Sequence, residues 1–142
     1  MKALVLSVLV FIVSIQIIAD TPPKVVVKAL KQKFPSAVNI IWVKDQDHAN
    51  LWEASFNLRE KLASATFTSD GHWIKSTLEI SLTELRDEVK AAVKRDYPGC
   101  EIISIKITEW LSIGTWYDVK VRCGNEINWP TYDSYGLPPP RI

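Results

Sequence analysis

The sequence lacks an excess of charge of either sign. It has 17 Lys plus Arg against 16 Asp plus Glu, and loss of Lys2 with the leader described below leaves a neutral chain. Proteins that bind nucleic acid or anionic lipid usually present a basic face. The neutral balance therefore predicts no nucleic-acid partner and, once the leader is removed, no membrane partner.

The residues used most often in catalysis and metal binding are also scarce. The chain has two histidines, two cysteines and five scattered glycines, with no Gly-x-Ser-x-Gly elbow and no Gly-rich phosphate loop. His48 lies near Asp45 and Asp47, but a solvated hairpin loop explains this group without a metal. We expect no catalytic residue, no metal and no cofactor.

Cys100 and Cys123 are the two cysteines. A four-ligand zinc site needs more ligands than this pair supplies. In a hairpin centred on Ser112 and Ile113 the two cysteines fall opposite or nearly opposite each other, which favours a disulfide. The alternative is a pair of buried, reduced thiols.

The first 19 residues have the pattern of a secretory signal peptide. Lys2 precedes an apolar run from residue 3 to 18, and the small Ala19 suits cleavage before Asp20. The alternative is an uncleaved anchor, since the run is nearly long enough to span a bilayer. No basic stop-transfer cluster follows, so we expect a periplasmic or secreted protein.

The remaining sequence contains one pattern written twice. Three blocks recur in the same order, which predicts a first repeat over residues 20–80, a second over 81–137 and a Pro-rich tail over 138–142. The paired blocks are Val26–Pro35 with Val89–Pro98, Trp52–Phe56 with Tyr117–Val121, and Phe67–Gly71 with Tyr132–Gly136.

Each repeat is predicted to be a helix followed by antiparallel strands. Apolar residues recur at helical spacing before each aromatic-Pro pair, and Ser81 with Glu84 forms a capping box that we expect to open the second helix. Period-two alternation then predicts strands, as in Ile103, Ile105 and Ile107. The fold class is α+β: two tandem α-β-β-β-β repeats with both helices on one face of a curved sheet. Pro130 interrupts the third strand of the second repeat, which predicts an edge strand or a bulge there.

The order of these motifs resembles the PepSY-like family, also described as β-lactamase-inhibitor-like, of exported Bacteroidota proteins. The resemblance covers roughly Thr21 to Leu137 and depends on motif order together with the duplication. It implies two helix-on-sheet units sharing one curved sheet. It also implies binding or inhibition of an exported enzyme, and carries over no catalytic residue. The matching motifs are Trp42, Trp52–Phe56, Phe67–Trp73 and Leu82–Pro98.

Six tryptophans are many for 142 residues. Strand parity places Trp42 and Trp52 in the core, but Trp110 and Trp116 on the face away from the helices, with Trp129 beside Pro130. Exposed aromatics often anchor protein interfaces, so these three are the predicted partner-binding residues. The alternative is that they cover one another on the sheet as cross-strand aromatic pairs.

Three functions follow from these features. The first is an exported, non-enzymatic module that binds a periplasmic protein or peptide through its sheet face and inhibits or modulates an exported enzyme. The second is a carrier of a small apolar ligand, which needs a pocket of at least ~300 Å³ between sheet and helices. The third is a hydrolase, which needs a polar triad within a cleft.

Overall fold

A computed structural model describes residues 20–140 of the chain. The predicted signal peptide and the last two residues of the predicted tail lie outside this range. The elements are, in order, α1 (Lys24–Lys33), β1 (Val38–Lys44), β2 (Leu51–Leu58), β3 (Lys61–Thr68), β4 (Trp73–Ile80), a 3₁₀ turn (Leu82–Glu84), α2 (Asp87–Asp96), β5 (Glu101–Trp110), β6 (Gly114–Cys123), β7 (Glu126–Asn128) and β8 (Thr131–Asp133).

All strands of the described chain form one antiparallel sheet. The strand order is β1-β2-β3-β4-β5-β6-β7, and β8 pairs with β6 beside β7. Each neighbouring pair from β1 to β6 is connected in sequence, and the β4–β5 connection carries α2. The predicted α+β class is confirmed.

Both helices pack on the same face of this sheet. Val26 and Leu30 are the buried residues of α1, and Val89, Ala92 and Val93 are those of α2. Each helix ends just before an aromatic-Pro pair, because the residue that precedes a proline is disfavoured in helical conformation. The helices therefore bury one apolar stripe each and expose their polar sides.

The core is divided into two clusters, one beneath each helix. Trp52, Phe56 and Phe67 lie in the cluster beneath α1, and Ile105 and Tyr117 lie in the cluster beneath α2. Full burial of a large apolar side chain contributes roughly 1.5–3 kcal/mol. Trp42 packs against the first cluster, so the core positions predicted for Trp42 and Trp52 are confirmed.

The capping box does not open α2 as expected. Ser81 and Glu84 form the predicted reciprocal contacts, but these cap the 3₁₀ turn Leu82–Glu84. Leu85 and Arg86 are then extended, and α2 begins at Asp87. Leu85 is buried in the second cluster, and its burial explains why the chain leaves helical geometry before α2.

Two strands depart from simple alternation. In β1 a register shift lies between Val38 and Ile41, and Asn39 has a φ of 54°. The extra residue turns Val38 to the face opposite the helices. In the second half, the third strand is split into β7 and β8 on either side of Trp129–Pro130, and both pieces pair with β6. Residues 137–140 add no fourth strand, so the predicted second α-β-β-β-β order differs from the structure.

Cys100 and Cys123 form a disulfide in the structure, with their Cα atoms 4.6 Å apart. A register shift between Ile102 and Ser104 brings the two residues into line across the base of the β5–β6 hairpin. The bond therefore connects the start of β5 to the end of β6.

A glycine after each core aromatic block lies close to a helix. A Cβ on Gly71 would lie 2.9 Å from Val25 Cγ2, and a Cβ on Gly136 would lie 2.5 Å from the carbonyl oxygen of Glu88. Both glycines have positive φ. Only glycine combines this backbone conformation with so close an approach.

Candidate functional site: the open face of the sheet

The sheet has a second face that no helix covers within residues 20–140. We call it the open face. It consists of the side chains that alternate with the core positions, including Thr108 and Lys106 on β5 and Trp116 and Asp118 on β6. A half-covered antiparallel sheet normally makes this second face polar. Here it also carries large apolar side chains.

A depression of about 430 Å³ lies on the open face. Residues from five successive strands line it, from Ile41 on β1 to Lys106 on β5. Neighbouring strands are only ~4.8 Å apart, so a hollow spanning five strands requires the sheet to curve around it. The open face is therefore concave at its centre. Glu53 and Glu79 contribute carboxylates to the lining.

An apolar border surrounds one side of the depression. Val38, Ile41 and Val43 on β1 and Leu62 on β3 are between 55% and 65% exposed. The pairing registers place all of them on the open face. β1 is also the edge of the sheet. Exposed apolar groups gathered beside a concavity are typical of a binding surface.

Trp110 on β5 and Trp116 on β6 also lie on the open face, but neither lines the depression. Trp110 pairs with Gly114, and Trp116 is the next open-face residue along β6, so the two are diagonal neighbours. Both are half-buried, and Lys75 Nζ lies 4.8 Å from the centroid of the Trp110 ring. The Nε1 atom of Trp116 is buried without a hydrogen-bond partner.

Trp129 is separate from the other two tryptophans. It is 60% exposed, and Lys120 Nζ lies 4.6 Å from its ring centroid. Lys120 is four residues beyond Trp116 on β6, which corresponds to roughly 13 Å along the strand. The structure therefore brings Trp110 and Trp116 together. Trp129, between β7 and β8, lies beside the far end of β6.

A row of hydrogen-bonded side chains crosses the open face between the tryptophans. Thr131 Oγ1 donates to Asp118 Oδ1 at 2.7 Å, and Thr108 Oγ1 donates to Asp118 Oδ2 at 3.4 Å. The hydroxyl oxygens of Thr108 and Thr77 are 3.3 Å apart. This row connects β4, β5, β6 and β8. It fixes the positions of the strands that carry Trp110 and Trp116.

The histidines lie in exposed turns with adjacent carboxylates. His48 Nδ1 is 3.3 Å from Asp45 Oδ1, and His72 Nδ1 is 2.9 Å from Asp70 Oδ2. The backbone amide of His48 lowers the pKa of Asp45, and the Thr68 hydroxyl lowers that of Asp70. The Thr68 hydroxyl bonds to Asp70, whereas a catalytic triad requires it to bond to the imidazole. These contacts stabilise turns.

Residues 20–140 contain no group of three or more His, Cys, Asp or Glu side chains that could hold a metal ion. Between the two core clusters, on the helix side, a gap of about 160 Å³ is smaller than the carrier hypothesis requires. A larger open groove, about 830 Å³, lies between α2 and the start of β5 and exceeds the volume that the carrier hypothesis requires. No helix of the described chain is long and apolar enough to cross a membrane.

These features define a class: a small α+β protein with helices on one face of an antiparallel sheet and a concave second face. Solved structures share this fold. A BLIP-like protein from Bacteroides fragilis is 20% identical, with 84% of each chain covered and a TM-score of 0.73. A DUF2874 family protein from Bacteroides ovatus is 22% identical, with 85% of this chain and 86% of that chain covered and a TM-score of 0.73.

A third structure, from Bacteroides eggerthii and described provisionally as periplasmic, is 18% identical and has a TM-score of 0.75 over 85% of this chain and 88% of that chain. At these identities the likeness establishes the fold, which confirms the resemblance drawn from the sequence motifs. No family model and no curated protein matches the sequence.

Sequence reasoning identified the open face but missed most of its surface. Ile41, Val43 and Leu62 were not singled out, although their alternation with Trp42 and Ala63 was visible. The exposure of Val38 depends on the bulge at Asn39, which no sequence pattern indicated. The depression depends on sheet curvature, which is a property of the whole sheet.

Proposed function

We propose that this chain is an exported, non-enzymatic module that binds a periplasmic protein or peptide on the open face of its sheet. One observation carries the proposal: the exposed border of Val38, Ile41, Val43 and Leu62 shares the open face with Trp110 and Trp116, and the depression lies on that face from β1 to β5. A convex segment of a partner would fill the hollow and contact both the border and the tryptophans.

The chemistry of the surface favours a protein partner. Apolar side chains and tryptophan supply most of the energy at protein interfaces, in which a central cluster is surrounded by polar residues. The open face has these residue types in the reverse arrangement, with Lys106, Glu79 and Glu53 inside an apolar border. The near-neutral chain gives no reason to expect nucleic acid or a lipid surface.

The structural neighbours support an inhibitory form of this function. One of them is described as BLIP-like, that is, similar to a β-lactamase inhibitor protein, and another as periplasmic. We infer that this chain inhibits or modulates an exported enzyme by covering part of its surface. The signal peptide predicted over residues 1–19 would deliver it to that compartment.

We also infer that the two halves, residues 20–80 and 81–137, arose by duplication. The close approaches of Gly71 to Val25 and of Gly136 to Glu88 support this. The two glycines end matching sequence blocks, and the two contacts fall at matching positions of the helices. Duplication of a helix-on-sheet unit explains how one continuous concave face was built from a short sequence.

The test begins with the mature chain, starting at Asp20, and a purified periplasmic β-lactamase, followed by any exported enzyme that it captures from periplasmic extract. Binding is measured by calorimetry with purified partner. Replacing hot-spot residues costs at least ~2 kcal/mol, so Ile41→Asp combined with Leu62→Asp should weaken binding at least about 30-fold. Trp110→Ala combined with Trp116→Ala should do the same.

A matched control is Tyr135→Asp, because Tyr135 is 76% exposed and lies outside the open face, beside Gly136. It should leave affinity unchanged. Equal loss in the control and the open-face variants would contradict the proposal. So would full affinity in both open-face double variants, provided that all variants retain the wild-type unfolding midpoint within a few degrees.

A further inference from the structure

The groove beside α2 has the features of a second binding site, on the helix side of the molecule. We call it the α2 groove. It is an open cleft of about 830 Å³ between α2, the 3₁₀ turn Leu82–Glu84 and the start of β5. Small-molecule sites typically have volumes of ~300–1,000 Å³. It shares no lining residue with the depression on the open face.

The lining of the α2 groove is mainly apolar. Val93, Tyr97 and Ile102 belong to the second core cluster or pack against it, and each also lines the groove. Leu82 forms the opposite wall and is 52% exposed, without an apolar covering. An exposed leucine facing an apolar floor favours a ligand with a hydrocarbon portion.

The wall of the groove is held in place by ionic and hydrogen-bonded contacts. The amide and the hydroxyl of Ser81 each donate to Glu84 Oε2 at 2.8 Å. Lys61, the first residue of β3, also contacts the Glu84 carboxylate. The Lys61 ammonium and the Ser81 donors lower the pKa of Glu84 to about 2. The groove is therefore formed before any ligand arrives.

Two lysines lie on the rim of the groove, one turn apart on α2. Lys90 Nζ is 3.3 Å from Asp87 Oδ1, but the Asp87 side chain is 96% exposed, where an ion pair contributes little. Lys94 has no ion pair within residues 20–140. Like charges four residues apart on a helix repel each other. A bound anion between them would relieve this repulsion.

The corresponding flank of α1 provides a contrast within the same chain. Lys28 and Lys31 line a smaller cleft of about 390 Å³ there, together with Val27 and Gln32. Residues 20–23, the described residues before α1, contain no 3₁₀ turn, so they supply no apolar wall opposite this flank. Basic residues are thus present on both helices, while the apolar cleft is present only beside α2.

We propose that the α2 groove binds a monomeric amphipathic carboxylate, with its hydrocarbon chain along Leu82, Val93 and Ile102 and its carboxylate at Lys90 and Lys94. A carboxylate complements the ammonium of Lys94, unpaired within the described residues, and that of Lys90, whose ion pair with the exposed Asp87 contributes little, and the hydrocarbon chain covers the exposed apolar wall. A cationic or uncharged amphiphile would satisfy only the second requirement. This site is independent of partner binding on the open face.

The test is calorimetric titration of the mature chain with dodecanoate below its micellar concentration. We expect saturable one-to-one binding that Lys94→Glu weakens at least tenfold and that Ala91→Trp, which fills the mouth of the groove, abolishes. The control Lys31→Glu makes the same charge change on α1 and should leave affinity unchanged. Dodecyltrimethylammonium, with an equal chain and opposite charge, should bind at least tenfold more weakly.

Several results would overturn the proposal. The first is absence of dodecanoate binding, and the second is an equal affinity for dodecyltrimethylammonium. The third is a loss of dodecanoate affinity in Lys31→Glu as large as that in Lys94→Glu. The fourth is binding to vesicles of anionic phospholipid that Lys94→Glu weakens as much as it weakens dodecanoate binding. If Ala91→Trp fails to fold, Leu82→Asp replaces it, and full affinity in that variant is likewise contradictory. Trp110→Ala with Trp116→Ala should leave dodecanoate binding intact, which separates failure of this site from failure of the open face.

Discussion

Removal of the Cys100–Cys123 disulfide should destabilise the protein by an amount that its loop size determines. The bond connects residues 23 positions apart, so loss of the cross-link releases roughly 11 cal/mol/K of chain entropy, or about 3.4 kcal/mol at 25 °C. For about 120 folded residues, whose unfolding entropy is roughly 2.1 cal/mol/K each, this corresponds to a decrease of about 13 °C in Tm.

The measurement is urea unfolding of the oxidised chain, of the same chain in dithiothreitol, and of the double variant Cys100→Ala with Cys123→Ala. The reduced chain and the variant should both lose about 3 kcal/mol, and dithiothreitol should not change the variant further. The bond closes the base of the β5–β6 hairpin, so the loss should appear in the global transition. A loss below about 1 kcal/mol would refute the entropic reasoning.

The remaining predictions concern the close helix contacts, the capped turn and a buried phenol. Gly136→Ala should cost more stability in urea than Gly124→Ala. Both glycines have positive φ, but of the two only Gly136 would place a Cβ against a backbone oxygen, at 2.5 Å. Equal losses of stability in the two variants would show that the cost comes from the positive φ and not from this contact. Because its folded pKa is depressed from 4.5 to about 2, Glu84 should contribute stability that is present above pH 4.5 and lost as pH falls towards 2. Glu84→Gln should flatten the dependence of the unfolding free energy on pH between 4.5 and 2, and an unchanged slope would contradict this role of Glu84. Tyr132→Phe removes the 3.2 Å hydrogen bond from its hydroxyl to Asp96 Oδ2 and should cost about 1 kcal/mol in urea unfolding; a gain in stability would contradict the role of that bond.

Local chemistry was enough to predict most of the elements. The aromatic-Pro pairs fix where α1 and α2 end, and the Asp70–Gly71 turn fixes the start of β4 at Trp73. Hairpin register also placed Cys100 and Cys123 close together, although the shift between Ile102 and Ser104 that aligns them was not predicted. In each case a short stretch of sequence has one favourable backbone arrangement, so its reading does not depend on distant contacts.

The errors arose where tertiary packing overrides a local pattern. The capping box at Ser81 is real, but burial of Leu85 delays α2 until Asp87. The assignment of strand residues to the two faces assumes strict alternation. The bulge at Asn39 breaks this alternation and puts Val38 on the open face, whereas alternation with Trp42 would put it in the core. The half-burial of Trp110 and Trp116 depends on neighbours such as Lys75 that are distant in sequence. The α2 groove requires the 3₁₀ turn, β5 and α2 together.

The central claim, that the open face is the partner-binding surface, can be tested by hydroxyl-radical footprinting of the protein with and without its captured partner. Because the label reacts with side chains, the method distinguishes the two faces of one strand. The account predicts that Ile41, Val43 and Leu62 become protected while Val25 and Tyr135, exposed on the helix side, remain labelled. Protection of Val25 and Tyr135 with Ile41 and Leu62 still fully labelled would contradict it.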